Sequence, residues 1–96
     1  MFMIKCLLNN TNLDVEGASS TIYTPVLCYK THGNKNQLWR IVKENDVEDA
    51  YKIENVKSGQ VIEIEGGIDA DGMRVVQNAY YKNLNQLWKI EQLQPI

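Results

Sequence analysis

The tetrapeptide Asn36-Gln37-Leu38-Trp39 recurs 49 residues later as Asn85-Gln86-Leu87-Trp88. Residues 2–47 lie over 51–96 at that offset without a gap, and ten of the 46 pairs are identical. They include Ile4/Ile53, Glu16/Glu65, Gly17/Gly66, Val26/Val75, Asn34/Asn83 and Ile41/Ile90. Phe2/Tyr51, Leu13/Ile62, Asp14/Glu63, Val15/Ile64 and Arg40/Lys89 are conservative. A chain written as two copies of one unit is constrained to a repeat architecture before any local propensity is consulted. The expected organisation is one domain over residues 1–96, with repeat one at 1–47 and repeat two at 48–96.

Each copy reads as four short strands broken by turn residues. In repeat one they are Phe2–Leu8, Leu13–Glu16, Val26–Tyr29 and Gln37–Val42; in repeat two, Tyr51–Val56, Val61–Glu65, Arg74–Gln77 and Gln86–Glu91. Asn9-Asn10, Ser58-Gly59, Glu16-Gly17, Gly66-Gly67 and Asp71-Gly72 supply turn chemistry. Period-two alternation is visible in Tyr51-Lys52-Ile53-Glu54, and no stretch sustains helical spacing. The expected class is therefore all-β. The joint from Glu44 to Asp49 is too short for an interdomain linker.

A net charge of −2 with scattered Lys and Arg gives no basic face for nucleic acid or for anionic lipid. No apolar run reaches the roughly 20 residues of a membrane span, so no membrane insertion is expected. Met1 to Leu8 lacks a basic n-region and a small-residue cleavage site, and Phe2 to Leu8 reads as a strand. Cytoplasmic synthesis without a signal peptide follows, with non-classical release an open route. Cys6 and Cys28 then read as reduced core thiols, and the sequon at Asn9-Asn10-Thr11 carries no weight.

The strand pattern closing on Gln-x-Trp resembles the ricin B-chain-like lectins, whose fold is the β-trefoil. The resemblance rests on Thr24-Pro25-Val26-Leu27-Cys28-Tyr29, His32-Gly33 and Asn36-Gln37-Leu38-Trp39 in repeat one. In repeat two it rests on Ser58-Gly59-Gln60-Val61-Ile62-Glu63-Ile64 and Asp71-Gly72-Met73-Arg74-Val75-Val76-Gln77. Four departures stand out. The family has three units, and this chain carries two. The positions of the family's usual disulfide correspond to about Asn12 and Thr31. Gln77 stands where the family prefers an apolar residue, and Leu27 where many relatives carry Gln.

Two units cannot close a threefold barrel. The resemblance thus implies a β-trefoil-type fold completed by oligomerisation: a homotrimer is favoured, because three chains carry six units. A dimer with a distorted barrel and a partner protein donating the last unit are the other solutions.

What the resemblance implies about function is saccharide or glycoconjugate binding of galactose type, with no cofactor. Its site residues map in repeat one to Asp14, Tyr29, His32, Asn36 and Gln37, and in repeat two, more weakly, to Glu63, Asn78, Tyr81, Asn85 and Gln86. A carboxylate accepts from two neighbouring sugar hydroxyls, and an aromatic face packs on the C–H patch of a pyranose. Gln37 and Trp39 also read as structural, the indole filling the core and the amide bracing backbone or the acidic residue. The alternative is a trefoil that binds protein, as an inhibitor or an accessory, targeting subunit. Catalysis is not expected: one histidine and no partnered nucleophile offer little, and nothing fixes two carboxylates across a glycosidic bond. Asp69-Ala70-Asp71-Gly72 reads as a turn rather than a calcium loop, and Cys28 with His32 does not make a zinc site.

Overall fold

The computed structural model describes residues 1–91. The strands are β1 (Lys5–Cys6), β2 (Thr11–Val15), β3 (Val26–Tyr29), β4 (Trp39–Lys43), β5 (Tyr51–Asn55), β6 (Val61–Ile64) and β7 (Val75–Asn78). They form an antiparallel three-stranded sheet in the order β1-β2-β3 and a four-stranded one in the order β4-β5-β6-β7. The last strand of repeat one thus belongs to the sheet of repeat two, in register from Trp39 against Asn55 to Lys43 against Tyr51. It stays tied to its own repeat by the Phe2–Trp39 bridge, which Tyr51 and Trp88 reproduce in repeat two. The fold is all-β and of β-trefoil type.

Two expected strands are cut short, and for one reason. Gln86–Glu91 is replaced by a 3₁₀ turn at Leu84–Gln86 and the single bridge at Trp88. The equivalent β4 gains its ladder from the first strand of the following repeat, and among the described residues nothing follows Trp88 in that role. Likewise Phe2–Leu8 shrinks to one bridge and the two residues of β1, whereas β5 runs for five residues between β4 and β6. A strand paired on one side only loses half the ladder that holds it extended. The 3₁₀ turns at Glu16–Ala18, Lys35–Gln37 and Glu65–Gly67 also trim neighbouring strand ends, and period-two patterning does not register them.

The backbone repeats more faithfully than the side chains. Positive φ recurs at the same place in both copies: Asn10 and Gly59, Gly17 and Gly66, Ala18 and Gly67, Tyr23 and Gly72, Gly33 and Lys82. Only one partner in most of these pairs is glycine, so the turn geometry is a property of the fold and not of the residue.

The core gathers Val15, Val26, Trp39 and Ile62, with Ile4, Leu13, Ile53, Val75 and Trp88 packed against it. Each indole donates to the same backbone position of its own repeat, Trp39 Nε1–H to Leu13 O at 3.2 Å and Trp88 Nε1–H to Ile62 O at 3.1 Å. Trp39 is fully buried while Trp88 is half-buried. Removing the Trp39 indole would cost about 3–5 kcal/mol.

The cysteines depart from the expected core thiols: both are free, Cys6 is half-buried and Cys28 is exposed. Gln77, the counterpart of Cys28, is fully buried because the Ser19–Thr24 loop of repeat one folds over it. No equivalent loop reaches Cys28 among the described residues.

Candidate functional site

Two open clefts, each of about 400 Å³, lie at equivalent places in the two repeats. Cleft one is lined by Asp14 from β2, Leu27 and Tyr29 from β3, the Glu16–Ala18 turn, and His32, Asn34 and Asn36 from the loop before β4. Strand alternation explains the first group: Asp14 pairs with Leu27, and Leu27 and Tyr29 share a face. Cleft two is lined by Glu63 from β6, Asn78 from β7, Gly66, Gly67, Tyr81, Asn83, Asn85 and Tyr23.

Beneath each cleft a glutamine amide organises the site. Gln37 Oε1 accepts the backbone N–H groups of His32 at 3.0 Å and Gly33 at 3.1 Å. Its Nε2 donates to Asp14 Oδ2 at 2.9 Å and Lys30 O at 2.8 Å. Gln86 repeats the pattern, accepting from Tyr81 N–H at 2.8 Å and donating to Glu63 Oε1 at 2.9 Å and Ala79 O at 2.7 Å. Both glutamines are fully buried, with amides committed at both ends. Of the two roles expected for Gln37, the bonds show the bracing of backbone and carboxylate, and Gln86 does the same; neither glutamine lines a cleft, and both position the carboxylates from beneath. The reason is the Lys35–Gln37 and Leu84–Gln86 3₁₀ turns, which direct the amide inward.

The carboxylates are themselves nearly buried, and a buried charge needs partners. Asp14 Oδ2 lies 3.4 Å from His32 Nε2 as well as on the Gln37 amide. His32 Nδ1 accepts the Asn34 N–H at 3.0 Å, so the imidazole hydrogen sits on Nε2 and faces Asp14. Glu63 Oε1 accepts from both Gln86 and Asn78, whose Nδ2 lies at 3.0 Å. Among the described residues, Asp14 Oδ1 and Glu63 Oε2 make no protein hydrogen bond. One oxygen of each carboxylate is held and the other is available to accept.

Asn36 and Asn85 are placed alike. Their Nδ2 groups donate to Val15 O at 3.2 Å and Ile64 O at 3.0 Å, which leaves the amide oxygens as acceptors in the cleft wall. In cleft one Tyr29 is 48% exposed, its ring centroid 6.2 Å from that of His32 at 59°. It offers an aromatic wall beside a carboxylate. In cleft two Asn78 occupies the position of Tyr29 and is turned inward to Glu63, while Tyr81, 65% exposed, occupies that of His32. Glu63 and Tyr81 therefore make no equivalent of the Asp14–His32 contact.

Four further lining residues had a signal in the sequence: Gly17/Gly66 and Asn34/Asn83 are identical across the repeats. Tyr23 had none, because its counterpart is Gly72 and it reaches a cleft of the other repeat.

The family model described as ricin-type beta-trefoil lectin domain-like matches residues 1–78 and, in an overlapping placement, 35–95. No protein of curated function matches the sequence. Among solved structures, a designed threefold-symmetric protein, ThreeFoil, superposes with a TM-score of 0.89 at 31% identity, over 95% of this chain and 64% of its own. An exo-β-1,3-galactanase from Clostridium thermocellum superposes with a TM-score of 0.84 at 25% identity, over 91% of this chain and 18% of its own. A Polyporus squamosus lectin bound to a human-type influenza-binding epitope gives 0.77 at 24% identity, over 91% and 30%. The chain therefore spans less than two thirds of the length of each of these structures.

Proposed function

The chain belongs to the ricin-type β-trefoil lectin-like family, and on that premise we propose that it binds galactose-type saccharides without altering them. The observation that carries the reading is cleft one: an exposed Tyr29 ring beside the half-committed carboxylate of Asp14, with His32 and Asn36 on the rim. The free oxygen accepts from a sugar hydroxyl while the ring packs against a pyranose C–H face. A cleft this open binds at around the millimolar level, or about −4 kcal/mol. Lactose or N-acetylgalactosamine titrated against the ¹⁵N-labelled chain should shift the His32 and Gly33 amides saturably, and Asp14→Ala and Tyr29→Ala should each abolish that response. Absence of a saturable shift in the wild type, or variants that bind equally well, would reject the assignment.

Multivalency through self-association belongs to the same proposal. Within the chain, the repeats meet where Val56 N–H donates to Leu38 O at 2.9 Å, Lys57 reaches Ala18 O, and Gln60 and Gln77 grip the 19–24 loop. The receiving positions of repeat one, 49 residues earlier, include Leu7, Leu8 and Cys28, and Leu7 and Leu8 are 93% and 91% exposed. The offering positions of repeat two, around Ile68 and Leu87, have no following repeat among the described residues. A second copy set head to tail would reuse the internal interface, and three copies would close two barrels. Several weak sites on one particle then raise avidity on a clustered glycan surface. Light scattering should give three times the 11.0 kDa chain mass, reduced to one chain by Leu8→Glu. A wild-type species at the mass of a single chain would defeat the arrangement.

A further inference from the structure

We propose that cleft two is a composite site spanning both repeats, in which Tyr23 of repeat one supplies the aromatic surface that β7 lacks. This deepens the saccharide-binding reading and rests on it. On β7 the position equivalent to Tyr29 holds Asn78, whose amide is spent on Glu63. A pyranose entering cleft two therefore finds no ring on the strand. Tyr23, 48% exposed, lines that cleft together with Tyr81 and Glu63.

Tyr23 is held there by repeat two. Its N–H donates to Gln77 O at 2.7 Å, and Gln77 N–H donates back to Thr24 O at 2.9 Å. Pro25 bridges Val76. The Gln77 Nε2 group donates to Ser19 O at 3.0 Å and Thr21 O at 2.9 Å, while Ser58 Oγ–H donates to Gln77 Oε1 at 2.7 Å. Gln60 Nε2 adds a bond to Ser20 O at 2.7 Å. The loop is thus stitched across β7, and its tyrosine is placed with respect to cleft two rather than cleft one.

The backbone supplies a second, independent observation. Tyr23 has φ 63° and its counterpart Gly72 has φ 78°, so the fold asks for the left-handed region at this position in both copies. Glycine adopts it freely, whereas a bulky aromatic there is an outlier. Tyr23 is 48% exposed, and strain of this kind concentrates at ligand sites. With Glu63 Oε2 free to accept a hydroxyl, Tyr23 and Tyr81 complete a wall for the C–H face of a galactose-type sugar.

The test is a lactose titration followed by NMR, with the Tyr81 amide and the Asn85 side-chain amide reporting cleft two and the His32 and Gly33 amides reporting cleft one. Tyr23→Gly, which removes the ring and relaxes the backbone, should weaken cleft two at least tenfold. It should leave cleft one within twofold and the melting temperature unchanged or raised. Tyr23→Phe should keep both sites, and saturation transfer from the Tyr23 ring to bound lactose should be observed in the wild type. Cleft-two affinity within twofold of wild type in Tyr23→Gly, or no transfer at saturating lactose, would overturn the proposal. So would a wild type in which cleft one saturates and cleft two stays silent, an outcome that leaves the saccharide-binding reading standing. Silence at both clefts defeats both.

Discussion

Gln77 ties the Ser19–Thr24 loop of repeat one to repeat two, and replacing it with methionine tests that role by sign. Methionine keeps the length of the side chain and removes both ends of the amide. Three hydrogen bonds disappear: two to the Ser19 and Thr21 carbonyls and one from the Ser58 hydroxyl. At about 1 kcal/mol net each, their loss costs about 3 kcal/mol. A fully buried methionine returns part of this, about 1–2 kcal/mol relative to the polar amide. Gln77→Met should therefore be destabilised by about 1–2 kcal/mol, lowering the melting temperature by roughly 4–8 °C per kcal/mol for a domain of this size. Urea unfolding followed by tryptophan fluorescence should show a lower midpoint at unchanged slope. Hydrogen exchange at the Tyr23 and Gln77 amides should accelerate as the loop is released. If position 77 were an ordinary apolar core position, methionine would stabilise instead. A midpoint equal to or above wild type, with Tyr23 amide protection intact, would refute that role for Gln77.

Gln37→Leu strips Asp14 of its amide partner and leaves the His32 and Gly33 N–H groups without their acceptor. A loss of about 2–4 kcal/mol in chemical denaturation is expected, together with disordered cleft-one amide signals. Burial, reinforced by the hydrogen bond to Glu44, pushes the Tyr80 phenol up to about 12 from 10.0. A raised value means that the folded state holds the proton more tightly, so this contribution is complete below pH 10 and lost as pH rises towards 12. Absorbance near 295 nm should show one of the five tyrosines ionising last, and Tyr80→Phe should remove that late step. The Tyr80 hydroxyl holds the Glu44 carboxyl below its ordinary 4.5, Lys82 holds Asp46 below 3.8, and Arg74 holds Glu65 below 4.5. Their contribution is complete above about pH 4.5 and declines as pH falls through the lowered values. The Lys82–Asp46 and Arg74–Glu65 pairs are at the surface, so their share of the acid-side loss should be small and should shrink further in high salt.

The sequence by itself determined the repeat, its 49-residue spacing and the strand grammar, because those depend on residues that both copies must share. Asp14/Glu63, Asn36/Asn85 and Gln37/Gln86 were legible as a set for the same reason. The tertiary structure decided which of them meet a cleft. Gln37 and Gln86 lie beneath it, since a 3₁₀ turn directs their amides inward where strand alternation gives no hint. It also decided everything that depends on which neighbour a position receives. Trp39 is sealed by a following strand and Trp88 is not; Gln77 is covered by a loop and Cys28 is open. Tyr23 reaches the second cleft although its counterpart is a glycine. Periodicity describes what two copies have in common, whereas burial and binding follow from contacts between them, which no single repeat encodes.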